Sequence, residues 1–82
     1  YSEKFKKCFV SLPSGIQKIA EKKRLLLVQN LRHPSLRVKK MAGTGGIWEA
    51  SVTMDYRLTF KIEKDELQLR VIGKHDEALK NP

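Results

Sequence analysis

Eighty-two residues suffice for one small domain with one core, so residues 1–82 are read as a single domain. Seventeen Lys and Arg against nine Asp and Glu give a formal charge of +8, a field that favours nucleic acid, an acidic membrane surface or an acidic protein. No apolar run approaches the ~18 residues of a membrane span, no secretory leader is recognisable, and the single Cys8 excludes an internal disulfide, so a cytoplasmic location is expected.

Ser2 is placed to cap a short helix over residues 3–10 that turns Phe5, Cys8 and Phe9 to one side. Leu12-Pro13-Ser14-Gly15 breaks the pattern and opens a longer helix, with Pro13 in its first turn or Ser14 and Gln17 as a capping box. Ile16, Ile19, Ala20, Leu26 and Leu27 recur at helical spacing, against a polar side of Lys18, Glu21, Lys22, Lys23 and Arg24. The helix is expected to end near Asn30, because Pro34 drives His33 out of helical geometry. From Leu36 the period becomes two, and strands are expected over 36–41, 47–53, 56–62 and 66–72, with Gly73 breaking the last. The implied architecture is α+β: an N-terminal helical hairpin packed on one face of an antiparallel sheet.

Parity then sorts the strand residues. Leu36/Val38, Trp48/Ala50/Val52, Tyr56/Leu58/Phe60/Ile62 and Leu67/Leu69/Val71 face the helices, which puts Trp48 in the core. Arg37, Lys39, Glu49, Ser51, Arg57, Thr59, Lys61, Gln68 and Arg70 face outward as a mainly basic surface. The Thr53-Met54-Asp55 link sets Ser51 opposite Arg57, and Arg57 is expected opposite Ile72, or else Arg70. His75 would then follow three residues later, across a cleft from Arg57.

An arginine binds a phosphate through a planar fork, and a histidine exchanges protons near neutral pH. Metal-independent RNA cleavage needs both roles: a 2′-hydroxyl loses its proton, the crowded phosphate is stabilised, and the leaving 5′-oxygen is protonated. His75 is the candidate base or acid, with Asp76 or a backbone carbonyl fixing its tautomer, and Arg57 the phosphate holder. Arg37, Lys39, Lys61, Arg70 and Lys74 are candidate RNA- and phosphate-binding cations. Cys8, His33 and His75 lack metal-ligand spacing, and Gly43-Thr44-Gly45-Gly46 lacks the lysine of a nucleotide-binding loop, so neither metal nor cofactor is expected.

Residues 31–79, "LRHPSLRVKKMAGTGGIWEASVTMDYRLTFKIEKDELQLRVIGKHDEAL", resemble the RelE/ParE toxin superfamily of bacterial and archaeal toxin–antitoxin systems. The marks are "HPSLRVKKM", "DYRLTF" and the terminal "IGKHDEAL", and "LPSGIQKIAEKKRLLL" in the helical part is similar too. The resemblance implies a helical hairpin against a curved antiparallel sheet. It implies an mRNA interferase acting on the ribosome, neutralised by an acidic antitoxin that wraps it. Residue by residue, Arg57 matches the strand arginine at the scissile phosphate, His75 the catalytic position after the glycine, and Asp55 an acidic residue of the histidine-bearing members. Departures are equally specific. Lysines that RelE carries on the preceding strand fall at Trp48 and Ala50, a further histidine falls at Ser51, and a late aromatic is missing. The family's initial strand would have at most Tyr1 as its last residue. Two alternatives therefore stand beside the nuclease: a ParE-like inhibitor of DNA gyrase, and a homologue that keeps antitoxin binding without catalysis.

Overall fold

Periodicity places two helices before any strand, and the computed structural model, which describes residues 3–80 and 82, has that order. Helix α1 spans Glu3–Val10 and α2 spans Ser14–Gln29. Phe5 and Phe9, one turn apart on α1, stack with ring centroids 6.4 Å apart, and Phe5 is buried. The expected cap at Ser2 and the strand residue at Tyr1 lie outside the described residues.

Neither expected start for α2 is complete. Pro13 is the N-cap residue, without a side-chain cap, and its carbonyl accepts from the amides of Ile16 and Gln17. Gln17 forms no capping box; its side-chain amide instead donates back to the Phe9 carbonyl at 3.0 Å. Ser11 Oγ donates to the Cys8 carbonyl at 2.8 Å, so the two side chains satisfy the last turn of α1 and hold the hairpin closed. Ala20 and Leu27 face inward as expected, whereas Ile19 lies largely on the surface.

The expected strand over 36–41 shrinks to β1, Lys39–Lys40. His33 leaves the helix at φ −59°, ψ 130°, and Pro34–Leu36 form a 3-10 turn that drops Leu36 into the core with no exposed surface. Arg37 then reverses the chain at φ 47°, so pairing starts only afterwards and Arg37 stands off the sheet. The remaining strands are β2 (Ile47–Ser51), β3 (Tyr56–Glu63) and β4 (Glu66–Lys74), antiparallel in the order β1-β2-β3-β4. Ser51 pairs with Arg57 as the parity argument requires. Lys64 and Asp65, both at positive φ, make the two-residue turn between β3 and β4.

One irregularity changes the register. Thr59 pairs with Val71 but Phe60 pairs with Leu69, so Arg70 is an extra residue, a β-bulge. Beyond it the parity inverts: Leu69 and Ile72 join the core, and Val71 turns to the other face beside Thr59. Arg57 consequently opposes Gly73, neither Ile72 nor Arg70. The strand also runs through Gly73 to Lys74 and passes directly into α3, His75–Lys80, an element the alternation did not predict.

The fold is α+β, with α1 and α2 over a core of Phe5, Leu27, Leu36, Leu58, Phe60 and Leu69. Each such side chain contributes roughly 1.5–3 kcal/mol on burial. The second sheet face is not simply open. Thr59 and Val71 are buried there, fully buried Ala78 belongs to α3, and the Pro82 carbonyl accepts from Thr59 Oγ1 at 3.3 Å and from Arg70 Nε at 3.0 Å. The expected basic surface is divided accordingly. Lys39 opposes Glu49, Lys61 pairs with Glu63 at 2.8 Å, Arg70 sits in the bulge, and Arg37 has left the sheet.

Thr59 Oγ1 also accepts the Val71 amide, at 3.1 Å, and so satisfies the donor that the bulge displaces. Thr59→Val keeps the shape and strands that N–H, a cost of about 1–3 kcal/mol. Urea titration should show the midpoint falling with an unchanged slope, and a smaller fall for Thr59→Ser.

On α2 the Arg24 guanidinium hydrogen-bonds the Glu21 carboxylate and holds it below the usual carboxylate range, with partial burial opposing and Coulombic attraction assisting. A carboxyl depressed by folding stabilises above its unfolded-state pKa, and the gain disappears as pH falls through the folded-state value. Glu21 is about half exposed, so Glu21→Gln should cost only about 0.3–0.5 kcal/mol at neutral pH. In acid denaturation the variant and parent should converge.

Candidate functional site

The link between β2 and β3 is a tight turn whose polar groups are used locally. Thr53 Oγ1 accepts from the amides of Asp55 and Tyr56, each at 3.2 Å, and the Tyr56 carbonyl accepts from those of Val52 and Thr53. Three consecutive carbonyls, Thr53 to Asp55, then point at two flanking groups. Arg57 Nη1 donates to the Thr53 carbonyl and to the Met54 carbonyl at 3.2 Å, with further bonds to Tyr56 O and, at 3.4 Å, Ser51 Oγ. From the other side the His75 backbone amide donates to the Asp55 carbonyl at 2.7 Å. Arg57 and His75 thus meet at one turn, but through its backbone rather than side chain to side chain.

The extra residue of the bulge makes this possible. With β4 advanced by one, Lys74 sits opposite Tyr56 and His75 begins α3 beside the turn. Asp55, Tyr56, Lys74, His75 and Asp76 line a cleft of about 380 Å³ there. The His75 side chain is half exposed, and its Nδ1 lies 3.2 Å from the Asp76 carboxylate. An ionised carboxylate only accepts, so Nδ1 carries the hydrogen, and in the neutral ring Nε2 then presents a lone pair. That is the tautomer a general base needs.

The charge of the cleft differs from the expectation. With a neutral imidazole, its lining holds one ammonium, Lys74, against two carboxylates, Asp55 and Asp76. Arg57 does not line it. Of the other expected cations, Lys39 and Lys61 stand on the sheet beside Glu49 and Glu63, and Arg70 lies at the outer strand near Pro82. Arg37 lines a separate cleft with Arg32, His33 and Trp48. Parity had put Trp48 wholly in the core; it is half-buried, and Lys40 Nζ sits 5.9 Å from its ring centroid. Lys40 and Trp48 are register partners across β1–β2, a pairing that places a cation on an aromatic at the sheet edge.

Among the described residues, no three His, Cys, Asp or Glu side chains cluster as metal ligands, and no helix is long and apolar enough to cross a membrane.

Because Nη1 alone makes the turn bonds, Arg57→Ala should loosen the turn while leaving the core intact, at a cost of about 1–2 kcal/mol. Hydrogen exchange should accelerate at the His75 amide and stay unchanged at the Val71 amide.

No family model matches the chain, and no curated protein matches it in sequence. Among solved structures, the fold matches a chain of the RelB–RelE antitoxin–toxin complex from Methanococcus jannaschii, with a TM-score of 0.76 and 17% identity. The match covers 99% of this chain and 96% of that one. At such identity the likeness is one of fold.

Proposed function

We propose that this chain is the toxin of a type II toxin–antitoxin system and cleaves mRNA on the ribosome. The observation that carries the reading is His75: an imidazole at a strand–helix junction, oriented by Asp76, with Nε2 free to take a proton, on the fold of a chain from an antitoxin–toxin complex.

In the proposed reaction His75 Nε2 removes the 2′-hydroxyl proton, and the 2′-oxygen attacks the adjacent phosphorus. The P–O5′ bond breaks, leaving a 2′,3′-cyclic phosphate and a 5′-hydroxyl whose proton comes from Lys74, Tyr56 or water. Arg57 offers Nε and Nη2 to the phosphate while Nη1 stays on the turn, and Lys74 adds positive field. Asp55 contributes its carbonyl to seat His75 and its carboxylate to the cleft wall. The partner that silences the toxin is an acidic chain, since a +8 surface attracts one. Such a system operates in the cytoplasm.

A second reading rests on the cleft's charge. An excess of carboxylates, and an Arg57 engaged with carbonyls, favour a homologue that binds an antitoxin and does not cleave.

Expression from a tightly repressed promoter, with mapping of RNA ends, separates the two. Translation-dependent cuts and growth arrest are expected, with His75→Ala lowering cleavage about 10²–10⁴-fold, the usual worth of a general base. Intact messages without arrest would leave the binding reading, and arrest that persists in both His75→Ala and Arg57→Lys would remove the proposed nuclease site. In the same strain, co-purification with an acidic neighbour should weaken as salt rises.

A further inference from the structure

A second cleft, of about 460 Å³, opens between the 3-10 turn and β2, within the ~300–1,000 Å³ span of small-ligand sites. Its polar lining is Arg32, His33 and Arg37, its apolar lining Leu31, Val38 and Trp48, and no carboxylate lines it among the described residues. Neither arginine's side chain is hydrogen-bonded or ion-paired within the described residues, so both guanidinium forks are available to an anion. Two other clefts differ: the one beside α1 and the outer strand includes Glu66, and the one at His75 includes two aspartates.

Three local features organise this wall. Arg37 holds φ 47°, ψ 47°, a conformation that costs a non-glycine residue free energy and that turns the chain out of the sheet at the cleft. The Ser35 backbone amide donates to His33 Nδ1 at 3.2 Å, and a backbone N–H can only donate. Nδ1 is therefore the acceptor, and Nε2–H is left as a donor. Trp48 pairs across β1–β2 with Lys40, whose ammonium extends the cationic rim over the indole.

We propose that this cleft binds one nucleotide of single-stranded RNA, its base against the Trp48 indole and its phosphate on Arg32 and Arg37, with His33 Nε2–H as a further donor. Stacking on an aromatic beside a cationic groove is how single strands are held without base-pair readout, each stacked base being worth about 5- to 150-fold in affinity. An acidic peptide would satisfy the arginines but leave the indole unused. The site requires neither His75 nor cleavage, so it stands apart from the nuclease reading.

Trp48 is the one tryptophan of the sequence, which makes its fluorescence a site-specific reporter. The full chain is titrated with a 2′-O-methyl hexaadenylate, which lacks the attacking hydroxyl, and with an abasic oligomer carrying the same phosphates. Saturable quenching by the first and not the second is expected, at an affinity that falls with salt. Arg32→Ala and Arg37→Ala should each weaken it about tenfold. Arg37→Gly suits the backbone angle, so it should weaken binding equally without lowering the thermal midpoint, a combination that a purely structural arginine would not give. Trp48→Phe should retain binding by anisotropy of a labelled oligomer, and Trp48→Leu should lose about tenfold. His75→Ala should quench like the parent, so failure of the nuclease leaves this result intact. Binding without quenching, or equal quenching by the abasic oligomer or by polyglutamate, would overturn the proposal, the latter in favour of a surface for acidic chains.

Discussion

The register shift at Arg70 is the constraint on which the site depends. A strand has period two, so one inserted residue exchanges the faces of everything beyond it. Without the bulge, Val71 would enter the helix-facing core and Ile72 would turn away; with it, Leu69 and Ile72 both reach that core. The displaced Val71 amide is not lost, because the Thr59 hydroxyl accepts it inside a fully buried environment. The same insertion draws β4 forward until Gly73 faces Arg57 and Lys74 faces Tyr56. His75 can then donate its amide to Asp55 and begin α3, so a packing device far from the cleft decides where the imidazole stands.

Charge is distributed in a way that the total of +8 conceals. Along the sheet, Lys39 stands opposite Glu49 in register, and Lys61 is ion-paired with Glu63, whose carboxyl is held below its usual range chiefly by the Lys61 hydrogen bond. The His75 cleft holds more carboxylate than ammonium. Arg32 and Arg37 line a cleft with Trp48 at the 3-10 turn that no carboxylate lines among the described residues. The carboxylate-rich cleft at His75 and the arginine-lined cleft at Trp48 are thus separate places on the chain.

Much of this was legible in the sequence, and the omissions have a common cause. Both long helices, all four strands as elements, and the Ser51–Arg57 pairing follow from periodicity and turn residues, because those signals are local and unbroken. Parity fails where alternation fails. The adjacent apolar pair Val71-Ile72 cannot both face one core, and that break was the trace of the bulge. Pro34 marked the end of α2 but not the 3-10 turn that buries Leu36 and leaves Arg37 left-handed, since that depends on what Leu36 packs against. Helix α3 is too short for a periodic stripe; only Asp76 and Glu77 at its start and Lys80 at its end hinted at it. The expected meeting of Arg57 and His75 is realised through the turn backbone, a mode that side-chain parity does not describe.

The bonds that Arg57 makes to the turn bear on the proposed cleavage in two opposite senses, and their chemistry decides between them. Neutral carbonyls hold one nitrogen of the guanidinium, and a phosphodiester carries a full charge that pairs with the planar fork of the remaining two. The side chain therefore need not leave the turn to meet an anion. Its torsions are already fixed by Nη1, so binding costs less rotamer entropy than it would for a mobile lysine. A phosphate arriving beside the turn would also meet Lys74 and shift the local balance away from the two aspartates. On this account the turn acts as a mount that presents the guanidinium: its Thr53 and Met54 carbonyls hold Arg57 on one side, and its Asp55 carbonyl holds the His75 backbone on the other.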